Sequence, residues 1–313
     1  IMGFLMSFLI AYFYGAQGLG NFLLAFIVLR IFSMIAKLGI DTSSIRFIAS
    51  FVKQGKWQSI KLFRKKILFL ISFTSILSSI LMYFLAEIIS SLINVEIKYI
   101  ELASFFILPM TFFMLHYQSL RGLKRIAEFS FFYRMSQATF TIVSLFIISI
   151  FIKNSNVPIY AYLTSLCIVS ILSIVTYKYW FSKKAILDSS ENIENLTLRK
   201  ILKISIPLML AQSVQFIMAW TDKLMIGNMM SAESVAIYGV AFRFSMGASI
   251  TLMAINSIAS PKFAEKFATN NIQGMGKIAM QSAKIIFWTT IPLASILLLF
   301  PRFFMGLYGT EFL

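Results

Sequence analysis

The sequence predicts an all-α polytopic membrane protein built as two parallel six-helix bundles, related by a pseudo-two-fold axis along the membrane normal. Three observations predict it: a composition too apolar for a soluble core, nine apolar stretches, and an internal repeat. Hydrophobic residues are 59% of the 313 and charged residues 13%, against about 45–50% and about 25% in soluble domains. Mean hydropathy is +0.84. A chain with so little polar surface cannot cover a water-facing globule, so the bilayer is its solvent.

Spanning helices need about 20 apolar residues. The candidates are 1–14, 20–40, 67–91, 100–120, 127–152, 159–181, 204–229, 235–258 and 278–300. The first is too short to span and reads as the end of a helix begun before Ile1. It is not a signal peptide, because no basic region or cleavage site accompanies it. The only cysteine, Cys167, lies in an apolar stretch, which excludes a disulfide framework, and the single His116 has no Cys/His cluster around it. Both are expected to be packing residues. The many Phe and Met residues are expected to serve lipid and core packing.

Lys and Arg number 28 against 12 Asp and Glu, a net charge of +16. In a soluble protein this would suggest nucleic acid; in a membrane protein it reports topology. The regions 46–66, 121–134, 178–203 and 262–284 hold 21 of the basic residues, and the alternate loops hold only Lys98, Lys153 and Arg302. That asymmetry places the loops after spans 2, 4, 6 and 8, and the N-terminus, in the cytoplasm. No nucleic-acid partner is expected. The longest polar stretch, 182–200, carries Asp188, Glu191 and Glu194. It divides the chain into a first bundle (1–181), a cytoplasmic linker (182–203) and a partial second bundle (204–313).

Shifted by 216 residues, the chain aligns with itself. Residues 16–26 fall on 232–242, and Arg46–Phe51 falls on Lys262–Phe267 without a gap. An even number of spans separates the copies, so they share an orientation, as in transporters built from parallel repeats. The offset predicts further residues before Ile1 and three more spans after Leu313, so that this chain holds about nine of at least twelve.

The run YGAQGLGNFLLAF…KLGIDTSSIRFIASFVKQGK resembles the opening of polysaccharide-biosynthesis flippases of the Wzx type, in the multidrug/oligosaccharidyl-lipid/polysaccharide superfamily. The run WTDKLMIGNMMSAESVAIYGVAFRF resembles the seventh and eighth spans of the same family. The resemblance covers nearly the whole chain and implies a MATE-like fold in a bacterial or archaeal cytoplasmic membrane. It further implies a transporter that flips undecaprenyl-diphosphate-linked oligosaccharide units from the cytoplasmic to the outer leaflet, for surface polysaccharide such as O-antigen or capsule. Partners implied are the polyprenyl-diphosphate-linked glycan, the lipid bilayer, and a polysaccharide polymerase with its export machinery.

Charge inside a span is costly, about 2.5–3.5 kcal/mol per Arg, Lys or Asp at a helix centre. Arg30, Ser33, Lys37, Asp41 and Ser44 are spaced 3, 4, 4 and 3, which puts them on one helical face. They read either as a cationic stripe facing a wet cavity that holds a diphosphate, or as a structural polar face with Asp41 pairing Lys37. Arg243 has Ile27 as its repeat equivalent, one turn from Arg30, and its fork suits phosphate oxygens. The alternative for Arg243 is a pair with Asp222. Gln212, Gln215, Ala219 and Asp222 form another polar face, for sugar hydroxyls or for hydrogen bonds between helices. Asp222 and Asp41 are the candidate coupling-ion or pairing residues. Arg134, grouped with Gln137, Thr141 and Ser144, could meet a diphosphate from the inner leaflet or serve as a topology anchor. The segments 44–55 and 261–270 read as amphipathic connectors in the interface, with Ile45, Ile48, Ala49 and Val52, then Phe263, Ala264 and Phe267, as their apolar sides.

No nucleophile–base set, metal motif or phosphate loop is present, and the GMGK at 274–277 lacks the spacing of a nucleotide site. The sequence therefore predicts no enzyme, cofactor or metal. The alternatives are a cation-coupled multidrug exporter of the same superfamily, which should carry acidic residues in its cavity, and a peptidoglycan-precursor flippase.

Overall fold

A computed structural model describes residues 2–152, 154–185, 193–269 and 271–313. Ile1, Lys153, Asp188, Glu191 and Asn270 lie outside the described residues. Among the described residues every regular element is helical: α1 (Met2–Ala36), α2 (Ile40–Lys53), α3 (Trp57–Phe84), α4 (Ala86–Ile93), α5 (Ile97–Ser104), α6 (Ile107–Gly122), α7 (Ile126–Phe131), α8 (Gln137–Phe151), α9 (Val157–Ala185), α10 (Leu198–Met229), α11 (Ala232–Ala268), α12 (Ile272–Leu299) and α13 (Pro301–Gly306). Among the described residues six helical stretches are long and apolar enough to cross a membrane, and α5 with α6, bent by 52° at their junction, makes a seventh when taken as one broken span. This is the all-α polytopic class the composition demands.

The chain divides into two compact units, Ile1–Val235 and Ala236–Leu313. The first therefore takes in α10 as well as the six predicted spans of the first bundle. Of the region 182–203, residues 182–185 end α9 and 198–203 begin α10. Residues 193–197 are fastened to α3. Glu194 pairs with Lys56 at 3.3 Å and its amide donates to Ser59, while Lys66 donates to Asn195 and to the Leu196 carbonyl.

Predicted span boundaries and helix ends differ where glycine intervenes. The first two spans join in α1, which turns at Gly15 (φ 68°, ψ −175°). The second span stops at Ala36, because Leu38 and Gly39 take φ of 50° and 71° before α2 begins. A single helix carrying the whole stripe from Arg30 to Ser44 is thereby ruled out. In the repeat copy the equivalent of Gly39 is Ile255, and α11 runs through to Ala268 without a break. The copies diverge where one has the residue that tolerates a left-handed backbone.

α2 also corrects the interfacial reading of 44–55. Its buried face is Ile40, Asp41, Ser43, Ser44, Phe47, Ile48 and Phe51; of the expected apolar side Ile48 is buried and Ile45, Ala49 and Val52 are half-buried. Phe47 and Phe51 pack on Phe63 of α3, with ring centroids 5.2 and 6.4 Å apart. A Cβ on Gly122 of α6 would lie 2.9 Å from Ile48. The helix is amphipathic because it is wedged among α3, α6 and α10. The matching segment in the second repeat is the end of α11.

At the end of the unit where α2 meets α3 and α6 meets α7, basic and aromatic groups interleave. Arg125 lies 3.2 Å over the Trp180 ring and Arg64 4.0 Å over Tyr177. Arg64 also meets His116 Nε2 at 2.9 Å, and His116 Nδ1 lies 2.6 Å from the Phe112 carbonyl. We refer to this as the basic end.

α10 at the basic end, and the first residue of α11 at the other, lie against the first bundle through glycine. At the basic end a Cβ on Gly39 would stand 2.2 Å from the Ser205 carbonyl, and at the opposite end a Cβ on Gly20 would stand 1.8 Å from the Ala232 carbonyl. Gly20→Ala and Gly39→Ala are therefore expected to lower the melting temperature of the purified protein in detergent. Gly55 has φ 74° with nothing within 4 Å of a Cβ, so Gly55→Ala carries only the left-handed backbone cost of about 1–2 kcal/mol. The expected order is a smaller loss for Gly55→Ala than for either of the others; equal losses would refute backbone approach as the cause.

Candidate functional site, a cationic cavity beside α10

Between those two seams the helices part. A cavity of about 390 Å³ is lined by Arg30, Met34 and Lys37 from α1 and its C-terminal turn, Met114 from α6 and Tyr133. Gln212, Gln215, Phe216, Ala219 and Trp220 line it from α10. The spacing on α10 is 3, 1, 3 and 1, which is one helical face. The volume falls within the usual range for small-molecule sites, about 300–1,000 Å³. All its lining residues belong to the first unit.

Its two cations stand in different circumstances. Lys37 is 7% exposed and Asp41 2%. Lys37 Nζ pairs with Asp41 Oδ2 at 2.7 Å and donates to Gln212 Oε1 at 3.0 Å. The Gln212 amide in turn donates to Thr42 Oγ1. Arg30 has no ion pair among the described residues. Its guanidinium lies 5.1 Å from the Phe26 ring centroid, a contact worth about 0.5–1 kcal/mol at exposed sites. Phe26 continues to Trp220 at 5.7 Å, and Trp220 to Phe216 at 5.9 Å. Among the described residues the lining thus contains two cations, two amides, an aromatic wall and no carboxylate.

The structure brings together Arg30, Lys37, Gln212 and Gln215 from the sequence-derived candidates. Asp41 stands behind Lys37 as its partner and does not line the cavity. Arg134 does not line it either. Residues Phe132–Ser136 form a π-helical turn, and the extra residue of such a turn rotates the side chains before it off the face of those after it. Gln137 and Thr141 consequently point at α9, both meeting Ser165 at 2.9 and 2.8 Å. Arg134 is exposed, and its neighbour Tyr133 faces the cavity instead. Asp222 lies outside the lining, 3.6 Å from the ammonium of the buried Lys223. Arg243 is half-buried in the second unit, in electrostatic contact with Tyr308.

The sequence reading missed the aromatic wall by assigning Phe and Met wholesale to packing. The signal was available: Phe216 and Trp220 share the face of Gln212, Gln215 and Ala219. Tyr133 carried no such signal, because its direction depends on the π turn.

No curated protein matches the chain. The structure is similar to that of a multidrug resistance transporter of the MATE family, in the MOP superfamily, solved in an inward-facing conformation. The likeness covers 98% of this chain and 71% of that one, with a TM-score of 0.65 at 17% identity, and is a likeness of fold. The family model for polysaccharide biosynthesis proteins matches residues 1–267, which hold the whole cavity and the repeat-equivalent helix α11 almost to its end. The chain therefore belongs to the polysaccharide biosynthesis protein family, as the two sequence runs implied, and carries the MATE fold.

Proposed function

We propose that the protein flips polyprenyl-diphosphate-linked oligosaccharide units across the cytoplasmic membrane, for O-antigen, capsule or a related surface polysaccharide. The carrying observation is the charge of the cavity lining: Arg30 and Lys37 with no Asp or Glu, and Arg30 without a counter-carboxylate among the described residues. A bare diphosphate cannot cross hydrocarbon, since an unpaired ion costs tens of kcal/mol there. A guanidinium in a wet cavity replaces lost hydration with charge-assisted, bidentate hydrogen bonds. Gln212 and Gln215 offer amides to sugar hydroxyls, and Trp220 and Phe216 offer flat apolar faces to sugar rings. The polyprenyl tail stays in lipid. The step is movement by alternating access, with no bond made or broken and no cofactor required.

The basic loops put the basic end in the cytoplasm, so units arrive from the inner leaflet and leave toward a polymerase and its export machinery. A membrane potential negative inside favours outward movement of two negative charges by about 4–5 kcal/mol per 100 mV. A cation-coupled drug exporter would place carboxylates where this lining has cations.

Arg30→Ala should weaken binding of polyprenyl diphosphate by about tenfold to a hundredfold, the range expected for one charge-assisted bond lost. It should also cut surface polysaccharide while the protein still reaches the membrane. Arg30→Lys keeps the charge but loses the fork, and its loss should be intermediate. Wild-type binding and polysaccharide output from Arg30→Ala would refute the assignment. The repeat-based role of Arg243 is tested by the same assays on Arg243→Ala, where unchanged output would remove that residue from the mechanism.

A further inference from the structure

Lys37 belongs to two structures at once. Its side chain lines the cavity, and its ammonium also holds α2 and α10 together at the basic end. Around it, Gln212 of α10 spans from Lys37 to Thr42, and Ser43 Oγ lies 2.6 Å from Ser205 Oγ, both fully buried. The Gly39 backbone lies against the Ser205 carbonyl. Asp41 completes the seam, 98% buried, with Lys37 as its ion-pair partner.

We propose that Lys37 is an anion-sensitive latch: closure of the basic end and occupation of the cavity by an anionic headgroup compete for its ammonium. This rests on the anionic reading of the cavity and goes beyond it, since Lys37 could bind a headgroup without governing any closure. An anion beside Arg30 draws the Lys37 ammonium from Asp41 and Gln212. Asp41 is then a buried carboxylate without its counter-ion, which is strongly destabilising. Water relieves that strain, and water reaches Asp41 when α2 and α10 part. Gln212 loses the acceptor role that ties α10 to Lys37 in the same step. By linkage, an anion that weakens the seam is itself bound less tightly when the seam is closed. Without a headgroup the seam between α2 and α10 is therefore held closed, and a headgroup loosens it.

The test uses the full chain in lipid nanodiscs, in a Cys167→Ser background, carrying Ser43→Cys and Ser205→Cys. The rate of disulfide formation under mild oxidation reports closure of the seam. Polyprenyl diphosphate is the probe, the uncharged polyprenyl alcohol is its control, and binding is measured on the same sample with labelled lipid. The diphosphate should slow cross-linking at least threefold and the alcohol should not. Lys37→Gln should abolish that response, and Lys37→Arg should retain part of it. Binding with an unchanged or faster cross-linking rate overturns the latch and leaves the anionic cavity standing. Failure to bind overturns the cavity reading and the latch with it. Should the double cysteine variant misfold, nitroxide labels at exposed Arg46 and Lys203 replace it. Their separation should widen with the diphosphate, and a fixed separation overturns the proposal.

Discussion

A cation within a membrane-spanning bundle must be neutralised, hydrated or given an anionic guest, because hydrocarbon solvates none of its charge. This chain treats its two cavity cations differently. Lys37 is compact, flexible and nearly buried, and it has Asp41 at 2.7 Å. Arg30 is larger, has the Phe26 ring beside it and no ion pair among the described residues, and faces the cavity. Among the described residues, one charge has a carboxylate partner and the other has none. The placement of the neighbours reflects this. Asp41 lies behind the lining, where it neutralises Lys37 without presenting negative charge to the cavity, and amides, which carry no net charge, occupy the facing helix.

The cavity exists because helix spacing changes along α10. At Gly20 and Gly39 a facing backbone carbonyl, and at Gly227 the Leu24 side chain, comes within contact and the interface is seamed, as membrane helices commonly use small residues. Asn94 and Asn228 reinforce the end opposite the basic one by donating to carbonyls of the facing segment. Between the seams stand Trp220, Phe216, Tyr133, Met34 and Met114, whose bulk holds the backbones apart without filling the gap. The closeness of the ends and the openness of the middle are two consequences of one alternation of small and large residues.

Much of this was legible in the sequence. Among the described residues hydropathy located six spanning helices and the bent α5–α6 pair, since burial in lipid leaves a long apolar run that no loop imitates. Charge-on-a-face arithmetic found Arg30, Lys37, Gln212 and Gln215, because a helical period brings such residues to one side whatever the tertiary packing. The errors arise where the backbone leaves that period. Leu38 and Gly39 break the stripe before Asp41. The π turn at Phe132–Ser136 separates Arg134 from Gln137 and Thr141 and sends Tyr133 to the cavity. The amphipathicity of α2 was real but ambiguous: an apolar face suits lipid headgroups and a neighbouring α6 equally, and only packing decides between them. Gly39 was the one sequence clue to the break, and Ile255 at its repeat equivalent explains why the second copy stays straight.

Fold and guest are separable in this architecture. A chain 17% identical to this one shares its backbone arrangement over nearly all of its length, and that chain is a multidrug resistance transporter. A shared backbone leaves the chemistry of the lining free to vary, since the same helices can carry either sign of charge into the same space. An aromatic wall does not discriminate, because Trp220 and Phe216 suit the apolar face of a sugar ring as well as an organic cation. The sign of the fixed charge does discriminate. With Arg30 and Lys37 present and carboxylates kept out of the lining, a cationic guest would meet repulsion at the centre of the site and an acidic headgroup attraction. Under the proposed function Arg30 offers a fork with no carboxylate partner among the described residues, and Lys37 must surrender Asp41 before it can contribute.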